Sequence, residues 1–422
     1  MERYEFLGIG IGPFNLSIAA LASQVPHYKT LFLDSKDSFS WHPDLMFEDA
    51  FMQTSWLKDL VTPVDPTNPN SFLNYLVENK KFYAFLNTSR STIKRIEFEH
   101  YCRWVADRLS NTKFNSHVLG VQKVDDGFVV RTEDNIYHTK KLCLGTGLQP
   151  NIPAEAQAFL GSDCFFARSP HLKAMDLEGK RLAIVGGGQT GIEILLNGLR
   201  GQWGQAKAIN VFSRRDNLEP LDESPFVNEY FIPHYVKEFA KLPKRRKGAI
   251  VDYQKLASDG ITPAYLEELY QELYDQRYLH GREGHVHLYP NRDFRKLSKS
   301  SDCYRLEISN RHTEQTESYE ADVVIFATGF RQALPDFAEA LIGDAVKDSY
   351  GRIDIDENFQ IRSASESDSS LYGLNLGRHC VGISEPQVSL MAWRAGTILN
   401  HALGEQRFRS LDGDQSFLSI VG

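Results

Sequence analysis

The feature that most constrains this chain is a glycine-rich turn between a short strand and a helix, which occurs twice. The first turn, 8–13, follows the strand-like segment 4–7 and precedes an apolar helical stretch. The second turn, 186–191, follows the apolar segment 181–185 in the same way. A strand, such a turn and a helix form the unit that holds a dinucleotide pyrophosphate at the helix N-terminus. The sequence therefore predicts an α/β protein with two Rossmann-like dinucleotide-binding domains.

The order of the two units along the chain predicts that one domain interrupts the other. We expect a first dinucleotide-binding domain that comprises 1–165 and is completed by 321–422. The second domain, 166–320, is then an insertion, and it carries a smaller helical substrate region at about 222–282. The last helix is expected at 388–403.

The first turn departs from the usual G-x-G-x-x-G pattern at its last position. Gly8, Gly10 and Gly12 permit a tight turn and close approach of backbone N–H groups to a pyrophosphate. Pro13 stands in the third-glycine position, where its missing N–H would be unpaired at a first helical turn in any case. Asp34 ends the following strand, where a carboxylate can accept both ribose hydroxyls. These residues predict a dinucleotide site, which we assign to FAD.

The second turn matches the full fingerprint. It consists of Gly186, Gly187, Gly188, Gln189, Thr190 and Gly191. The strand that follows ends in Ser213, Arg214 and Arg215 instead of an acid. A hydroxyl and guanidinium groups suit a 2′-phosphate, which an acid would repel. We therefore predict NADPH, in preference to NADH, at this site.

Two dinucleotide sites imply a flavin that takes hydride from a nicotinamide, and the cysteines bear on where the electrons go. The chain has 5 cysteines, which are scattered and never form C-x-x-C. This pattern argues against a disulfide scaffold, a dithiol centre and a metal site. O2 is the simplest remaining electron acceptor.

Charge and hydropathy exclude other partners. The net charge of −8 gives no basic face for nucleic acid, and the one basic cluster, 241–247, is interpreted as a solvated loop. The start of the chain has no charged-then-apolar leader, and no apolar run approaches the roughly 20 residues that span a membrane. We expect a cytoplasmic protein without stable membrane insertion, and a homo-oligomer is left open.

Nine segments, including parts of both glycine turns, carry a resemblance that extends over essentially the whole chain. They are 10–17, 39–43, 52–54, 57–60, 71–75, 186–191, 224–229, 327–330 and 385–390. With these segments the chain resembles the flavin-dependent N-hydroxylating monooxygenases of hydroxamate siderophore biosynthesis, which act on lysine, ornithine or diamines. The lysine N6-hydroxylases look most similar, through 258–262 and 389–394.

The resemblance implies the reaction. NADPH would reduce FAD, reduced FAD would form a C4a-hydroperoxide with O2, and a neutral amine would take the distal oxygen. The substrate would be a small primary amine, either L-lysine or a short diamine such as putrescine or cadaverine.

The resemblance also implies residue roles. The FAD would contact Asp34, Trp41, His42, Gln53, Thr328, Gly329, Pro386, Gln387 and Val388. Ser258 would join the NADPH set, in which Arg214 holds the 2′-phosphate. Lys58, Asn228 and Ser389 would meet the substrate. From the residues alone, Trp41 and His42 are more often a core aromatic and a satisfied histidine, and Lys58 is more often a surface lysine.

Three alternatives stay open. Ornithine is disfavoured because Ser258 stands where ornithine-type members carry asparagine. A flavin monooxygenase acting on sulfur or a ketone is disfavoured because Ala167 replaces the glycine of the F-x-G-x-x-x-H pattern that begins at Phe165. A non-catalytic dinucleotide sensor is disfavoured by the complete pair of cofactor sites.

Overall fold

The structure is a computed structural model that describes residues 2–300, 303–365, 368–411 and 416–420. The strands are β1 Glu2–Ile9, β2 Thr30–Leu33, β3 Phe51–Ser55, β4 Thr92–Lys94, β5 Thr112–Lys113, β6 Val118–Val124, β7 Gly127–Thr132, β8 Ile136–Leu144, β9 Gln149–Pro150, β10 Cys164–Phe166, β11 Arg181–Val185, β12 Ala208–Phe212, β13 Val286–Tyr289, β14 Arg292–Lys299, β15 Tyr304–Asn310, β16 Thr316–Ala321, β17 Val323–Phe326, β18 Phe330–Arg331 and β19 Ser370–Gly373. The α-helices are α1 Pro13–Ala22, α2 Phe72–Glu78, α3 Phe82–Leu86, α4 Arg95–Arg108, α5 Gln189–Leu199, α6 Pro225–Asn228, α7 Pro233–Lys241, α8 Lys244–Tyr253, α9 Leu256–Asp259, α10 Pro263–Tyr274, α11 Asp336–Glu339, α12 Arg378–Val381 and α13 Met391–Leu403. Short 3-10 turns cover Pro43–Leu45, Ala154–Phe159, Pro170–Leu172, Glu229–Phe231, Ala340–Ile342 and Val388–Leu390, and a π-turn covers Asp275–Leu279.

The first sheet has seven strands in the order β5-β2-β1-β8-β7-β6, with β19 added to β8. Strand β1 pairs in parallel with β2 and with β8. The long strand β8 pairs with antiparallel β7 through its first half and with parallel β19 through its second half. Strand β1 therefore lies inside a mixed sheet with a parallel neighbour on each side, and the first glycine turn connects its carboxyl end to α1.

The second sheet has five parallel strands in the order β10-β17-β11-β12-β13. Its central strand β11 delivers the second glycine turn to α5. A three-stranded meander, β14-β15-β16, packs beside this sheet. Both strand–turn–helix units predicted from the sequence are therefore present, one at the centre of each sheet.

The sheet pairing moves the domain boundaries that the sequence predicted. Strand β17 lies between β10 and β11 in the second sheet, although the sequence division assigned 321–422 to the first domain. The start of β10 likewise precedes the expected boundary at 166. Strands β9 and β18 pair with each other at the crossing between the two units. The sheet to which β17 belongs is determined by strands that are distant from it in the sequence. The local sequence pattern therefore assigned β17 to the wrong domain.

The helical region follows the expectation, but the basic cluster in it is not a solvated loop. Helix α7 ends at Lys241 and α8 begins at Lys244. Lys247 is buried, and its Nζ donates to the carbonyl oxygens of Ala240 at 2.9 Å and Cys380 at 2.8 Å. A lysine can be buried when carbonyls satisfy its donors. The interpretation of 241–247 as a loop was therefore wrong.

Two further features of the chain follow from the same description. The last helix begins at Met391, three residues after the expected start at 388, because Val388–Leu390 forms a 3-10 turn first. Among the residues that the structure describes, no helix combines the length and the apolar character that crossing a membrane requires.

Candidate functional site

The first glycine turn forms a cradle that only a turn without side chains can make. Gly10 has a φ of +88°, and a Cβ on it would lie 2.4 Å from the carbonyl oxygen of Gly145. A Cβ on Gly12, by contrast, would meet nothing within 4 Å, so the turn is open on that side. Gly12 caps α1 without a side-chain hydrogen bond, which leaves the first backbone N–H groups of the helix for an anion. This geometry fits a pyrophosphate.

Asp34 lies where a ribose would follow such a pyrophosphate. One of its carboxylate oxygens accepts from the backbone N–H of Ile11 at 2.7 Å, and the other accepts from that of Lys36 at 2.9 Å. The side chain is buried at the end of β2. Each carboxylate oxygen has a second lone pair, so both can still accept a hydroxyl. Asp34 therefore fits the role expected for an FAD site.

The second turn has the same design. Gly186 has a φ of +135°, and a Cβ on it would lie 2.1 Å from the carbonyl oxygen of Ala327. A Cβ on Gly191 would lie 2.0 Å from the carbonyl oxygen of Gly186, because α5 packs directly against the turn. A Cβ on Gly188 would again meet nothing within 4 Å, and Gly188 caps α5 without a side-chain bond. This turn therefore offers a second open anion cradle.

The structure changes the placement of Thr328 and Gly329. Both follow β17, and the preceding Ala327 contacts Gly186 of the second turn. The corresponding neighbour of the first turn is Gly145-Thr146-Gly147, which follows β8. Thr328 and Gly329 therefore lie beside the second cradle, although the resemblance assigned them to FAD. Sequence reasoning missed 145–147, although a strand that ends in a small residue, Thr and Gly occurs at both places.

The segment after β12 separates its two arginines. Arg214 is exposed, and Arg311 of the β15–β16 turn donates to its carbonyl oxygen at 3.1 Å. Arg215 instead turns inward, where it donates to the carbonyl oxygen of Asp259 at 2.8 Å. Ser213 is buried and accepts from the backbone N–H of Arg215 at 3.2 Å. A 2′-phosphate would therefore meet Arg214, with Arg311 as a nearby cation that sequence reasoning missed.

Ser258 lies next to this arginine segment. Its hydroxyl donates to the carboxylate of Asp259 at 2.8 Å and accepts from a guanidinium N–H of Arg378 at 2.9 Å. Asp259 is also the backbone partner of Arg215. Ser258 is thus part of a polar cluster that links the helical region to α12 of the first unit.

Trp41 and His42 form an aromatic pair between the two units. The His42 ring lies 4.8 Å from the Trp41 ring and 6.1 Å from that of Phe330 between their centroids. Within the described residues, Nδ1 of His42 is buried without a hydrogen-bond partner. Burial, followed by the charges of Arg168 and Arg95, lowers the pKa of His42 to about 3. A neutral imidazole with an unpaired nitrogen fits a place beside a cofactor.

Acid stability should reveal this buried imidazole. In the folded chain the pKa of His42 is about 3, so the imidazole stays neutral until the pH approaches that value. In the unfolded chain it is protonated near its ordinary pKa of about 6.5. The unfolded state therefore binds more protons across this window, and stability falls as pH drops through it. His42→Asn, which tolerates the left-handed backbone at φ 51°, should lose less stability than the parent between pH 7 and pH 5. Urea midpoints of the FAD-loaded protein measure this difference.

The control for this prediction is His27→Asn. His27 shares the left-handed conformation, with a φ of 63°, but its side chain is exposed. Its replacement controls for the change from histidine to asparagine at a left-handed position. An equal effect of both substitutions would contradict the role assigned to burial at His42.

The residues expected at the substrate lie around β3. Lys58 follows this strand, and its Nζ lies 3.5 Å from the carbonyl oxygen of Phe231. Asn228 precedes Phe231 in the helical region, is exposed, and donates to the carbonyl oxygen of Glu223 at 3.2 Å. Strand β3 also contacts the turn that contains Ser389, whose buried hydroxyl has no partner among the described residues. The fold thus brings all three segments to one place.

A buried carboxylate holds the backbone below Lys58. Asp59 accepts from the backbone N–H groups of Val61, Thr62 and Phe72 at 2.9, 2.7 and 2.7 Å. Burial raises the pKa of Asp59 and these hydrogen bonds oppose the shift. Burial also lowers the pKa of the Lys58 amine. The segment after β3 is therefore held rigidly at its base.

The turn that contains Pro386, Gln387 and Val388 is braced by two buried charges that sequence reasoning did not single out. Glu385 accepts from the backbone N–H of Asn375 at 2.7 Å. Arg394 donates to the carbonyl oxygen of Glu385, and its guanidinium lies 4.4 Å from the ring centroid of Phe14 in α1. The turn is therefore tied to the helix that follows the first cradle.

In the described part of the chain, no three His, Cys, Asp or Glu side chains come together as metal ligands would.

Comparison with known proteins identifies relatives over the full length. Residues 2–332 match the family described as L-lysine 6-monooxygenase/L-ornithine 5-monooxygenase. An L-lysine N6-monooxygenase from Escherichia coli is 41% identical over 409 residues, which cover 96% of each chain. A putrescine N-hydroxylase from Acinetobacter baumannii is 30% identical, over 96% of this chain and 90% of its own. The FAD-bound cadaverine monooxygenase DfoA from Erwinia amylovora superimposes with a TM-score of 0.92 at 26% identity, over 100% of this chain and 99% of its own.

Proposed function

Because the chain belongs to the L-lysine 6-monooxygenase/L-ornithine 5-monooxygenase family, we propose that it N-hydroxylates the terminal primary amine of L-lysine or a short diamine. The reaction uses FAD, NADPH and O2, and its product is an N-hydroxyamine for hydroxamate siderophore assembly. The observation that carries this proposal is the pair of open glycine cradles, one at Gly12 and one at Gly188. Two such cradles in one chain suit an enzyme that passes hydride from NADPH to a flavin.

In this proposal the first cradle, with Asp34, holds FAD, and the second, with Arg214, holds NADPH. Bound FAD supplies the activation of O2 that amine hydroxylation requires, and this chemistry belongs to the cofactor. The contribution of the protein is to place the amine and to exclude water. In the proposal Lys58, Asn228 and Ser389 hold the substrate, and the proximity of their segments to β3 supports this role.

The protonation state of the substrate sets a requirement on this site. An alkylammonium has an ordinary pKa of about 10.4 and no lone pair while it is charged, so the reacting nitrogen must be neutral. The cation of Lys58 lies in a half-buried position, with its Nζ facing the carbonyl oxygen of Phe231. The same cation suits the α-carboxylate that lysine has and a diamine lacks.

The similarities support lysine first and a diamine second. The relative that acts on lysine is 41% identical, whereas the putrescine enzyme is 30% identical. The cadaverine enzyme resembles this chain over its whole length at 26% identity. Ornithine is the alternative, because the family includes it.

An amine panel tests the proposal directly. The FAD-loaded protein is incubated with NADPH, O2 and lysine, ornithine, cadaverine or putrescine, and hydroxylamine product is measured with NADPH oxidation. We expect hydroxylamine from lysine or a diamine. NADPH oxidation that yields only peroxide with every amine would refute the proposal, and a preference for ornithine would establish the alternative.

Cofactor preference tests the role of Arg214. Arg214→Ala should lower kcat/KM for NADPH about tenfold, since a charge-assisted bond is worth about 1.5–3 kcal/mol and Arg311 keeps a cation nearby. The value for NADH should barely change, because NADH has no 2′-phosphate. The exposed Arg131 lies in β7 of the first sheet, whereas this segment follows a strand of the second sheet, and Arg131→Ala serves as the control. Equal efficiency of NADPH and NADH in the parent protein would contradict this assignment.

A further inference from the structure

The two units are joined by a buried ion pair that lies next to the second cradle. The two terminal guanidinium nitrogens of Arg95, at the start of α4, donate to the carboxylate of Glu193, in α5, at 2.9 and 2.8 Å. The side chain of Glu193 is 0% exposed and that of Arg95 is 16% exposed. A bidentate pair of this kind defines the orientation of both partners. It therefore sets the position of α5 relative to the first unit.

Glu193 also holds the glycine turn itself. The side-chain amide of Gln189, the first residue of α5, donates to the Glu193 carboxylate at 2.8 Å. The amide oxygen of Gln189 accepts from the backbone N–H of Thr262 at 2.8 Å, and the hydroxyl of Thr262 accepts from Gln53 in β3 at 3.0 Å. A continuous set of hydrogen bonds thus runs from β3 and α4 of the first unit to the start of α5.

The far end of α5 provides a contrast within the same interface. Arg200, which follows α5, pairs with Asp49 of the first unit at 2.7 Å and with Glu268 of α10. These contacts are partly exposed, and none of them reaches the glycine turn. Partly exposed ion pairs contribute little to stability. Position relative to the cradle therefore distinguishes Glu193 from Arg200.

We propose that Glu193 is a positioning residue for hydride transfer, because it fixes the second cradle, through Gln189, against the first unit, through Arg95. This inference rests on the proposed function. The hydride that NADPH gives up and the flavin accepts must pass over a short distance, so a small displacement of one cradle lowers the rate of transfer. Binding of NADPH depends on the cradle and on Arg214, neither of which is substituted, and should be little affected.

The test separates positioning from stability with two variants. Arg95→Lys keeps the positive charge but loses the bidentate fork. We expect the limiting rate of flavin reduction by NADPH, measured without O2 in the FAD-loaded protein, to fall about tenfold. The Kd for NADPH should change by no more than about twofold, since the cradle is intact.

The second variant combines Arg95→Met with Glu193→Met. Replacing a buried ion pair by apolar residues is commonly neutral or stabilising, so Tm should match the parent. The reduction rate should stay low, and hydrogen exchange of the backbone at 186–191 should be faster, because Gln189 has lost its acceptor. Arg200→Ala is the matched control and should leave rate and exchange unchanged.

The outcomes distinguish a failure of the positioning role from a failure of the proposed function. A parental reduction rate in either Arg95 variant, or a raised Kd with a parental limiting rate, would overturn the positioning role. If the unmodified protein, with FAD bound, is not reduced by NADPH at all, the proposed function fails instead. The exchange measurement does not depend on turnover and tests the link between Glu193 and the turn in either case.

Discussion

Replacing Gly191 by alanine is expected to abolish most NADPH-dependent turnover while FAD stays bound. An added Cβ would lie 2.0 Å from the carbonyl oxygen of Gly186, so the start of α5 would have to move away from the turn. Overpacking of this kind costs about 1–3 kcal/mol. Because the displaced groups are those that meet the pyrophosphate, kcat/KM for NADPH should fall roughly a hundredfold. Flavin content measures whether FAD stays bound, and steady-state kinetics measure the loss of NADPH-dependent turnover.

Two other glycines act as controls for Gly191. A Cβ on Gly188 would meet nothing within 4 Å, so Gly188→Ala should keep the parental Tm. It should nevertheless weaken the binding of NADPH, because the added methyl group would occupy the space of the pyrophosphate. Gly161→Ala, also in open space but away from both turns, should change neither property. Parental NADPH kinetics in Gly191→Ala would contradict the assignment of the second cradle.

Replacing Lys58 by alanine is expected to have opposite effects on lysine and on diamines. The Lys58 ammonium has three N–H donors, of which one faces the carbonyl oxygen of Phe231 at 3.5 Å. If the others meet the α-carboxylate of lysine, their loss costs about 1.5–3 kcal/mol. The KM for lysine should then rise roughly ten- to a hundredfold. For a diamine no carboxylate is lost and a like charge is removed, so KM should stay the same or fall.

The control for Lys58 is the cofactor chemistry of the same variant. Flavin content and the rate of reduction by NADPH should stay near parental values, because Lys58 belongs to neither glycine turn and its amine faces the carbonyl oxygen of Phe231 in the helical region. Loss of FAD in Lys58→Ala would show that its placement at the substrate is wrong. An unchanged KM for lysine would show that Lys58 does not bind the α-carboxylate of the substrate.

The sequence predicted the parts of this molecule that are local. Both cradles follow from short segments whose glycines serve the turn that contains them, and the family resemblance is confirmed by the relatives. Contacts between distant segments were not predicted. Nothing near Val323–Phe326 indicates that this strand pairs with β11, and nothing near Glu193 indicates that its partner is Arg95.

The same limit applies to the charged residues. In the sequence, Lys247 belongs to a cluster that is typical of a solvated loop. In the folded chain, the carbonyl oxygens of Ala240 and Cys380 accept hydrogen bonds from its buried amine. Arg214 and Arg215 are neighbours of one type in the sequence, and only the position of Asp259 separates their roles. Periodicity shows which face of an element is apolar, whereas the partner of a buried charge is set by tertiary packing.

Leu45, Phe47 and Ala50 belong to the first unit by sequence, yet they are buried in the core of the second. Phe47 packs edge-on against Trp203, with 6.1 Å between the ring centroids, and the hydroxyl of Tyr265 donates to the carbonyl oxygen of Asp49 at 2.6 Å. The inserted unit is therefore not a separable module. Excised at its sheet boundaries, it would expose an apolar surface that a peptide from the other unit normally covers. During synthesis, this peptide leaves the ribosome long before the core that receives it, so the inserted unit completes its core only by closing back on the start of the chain.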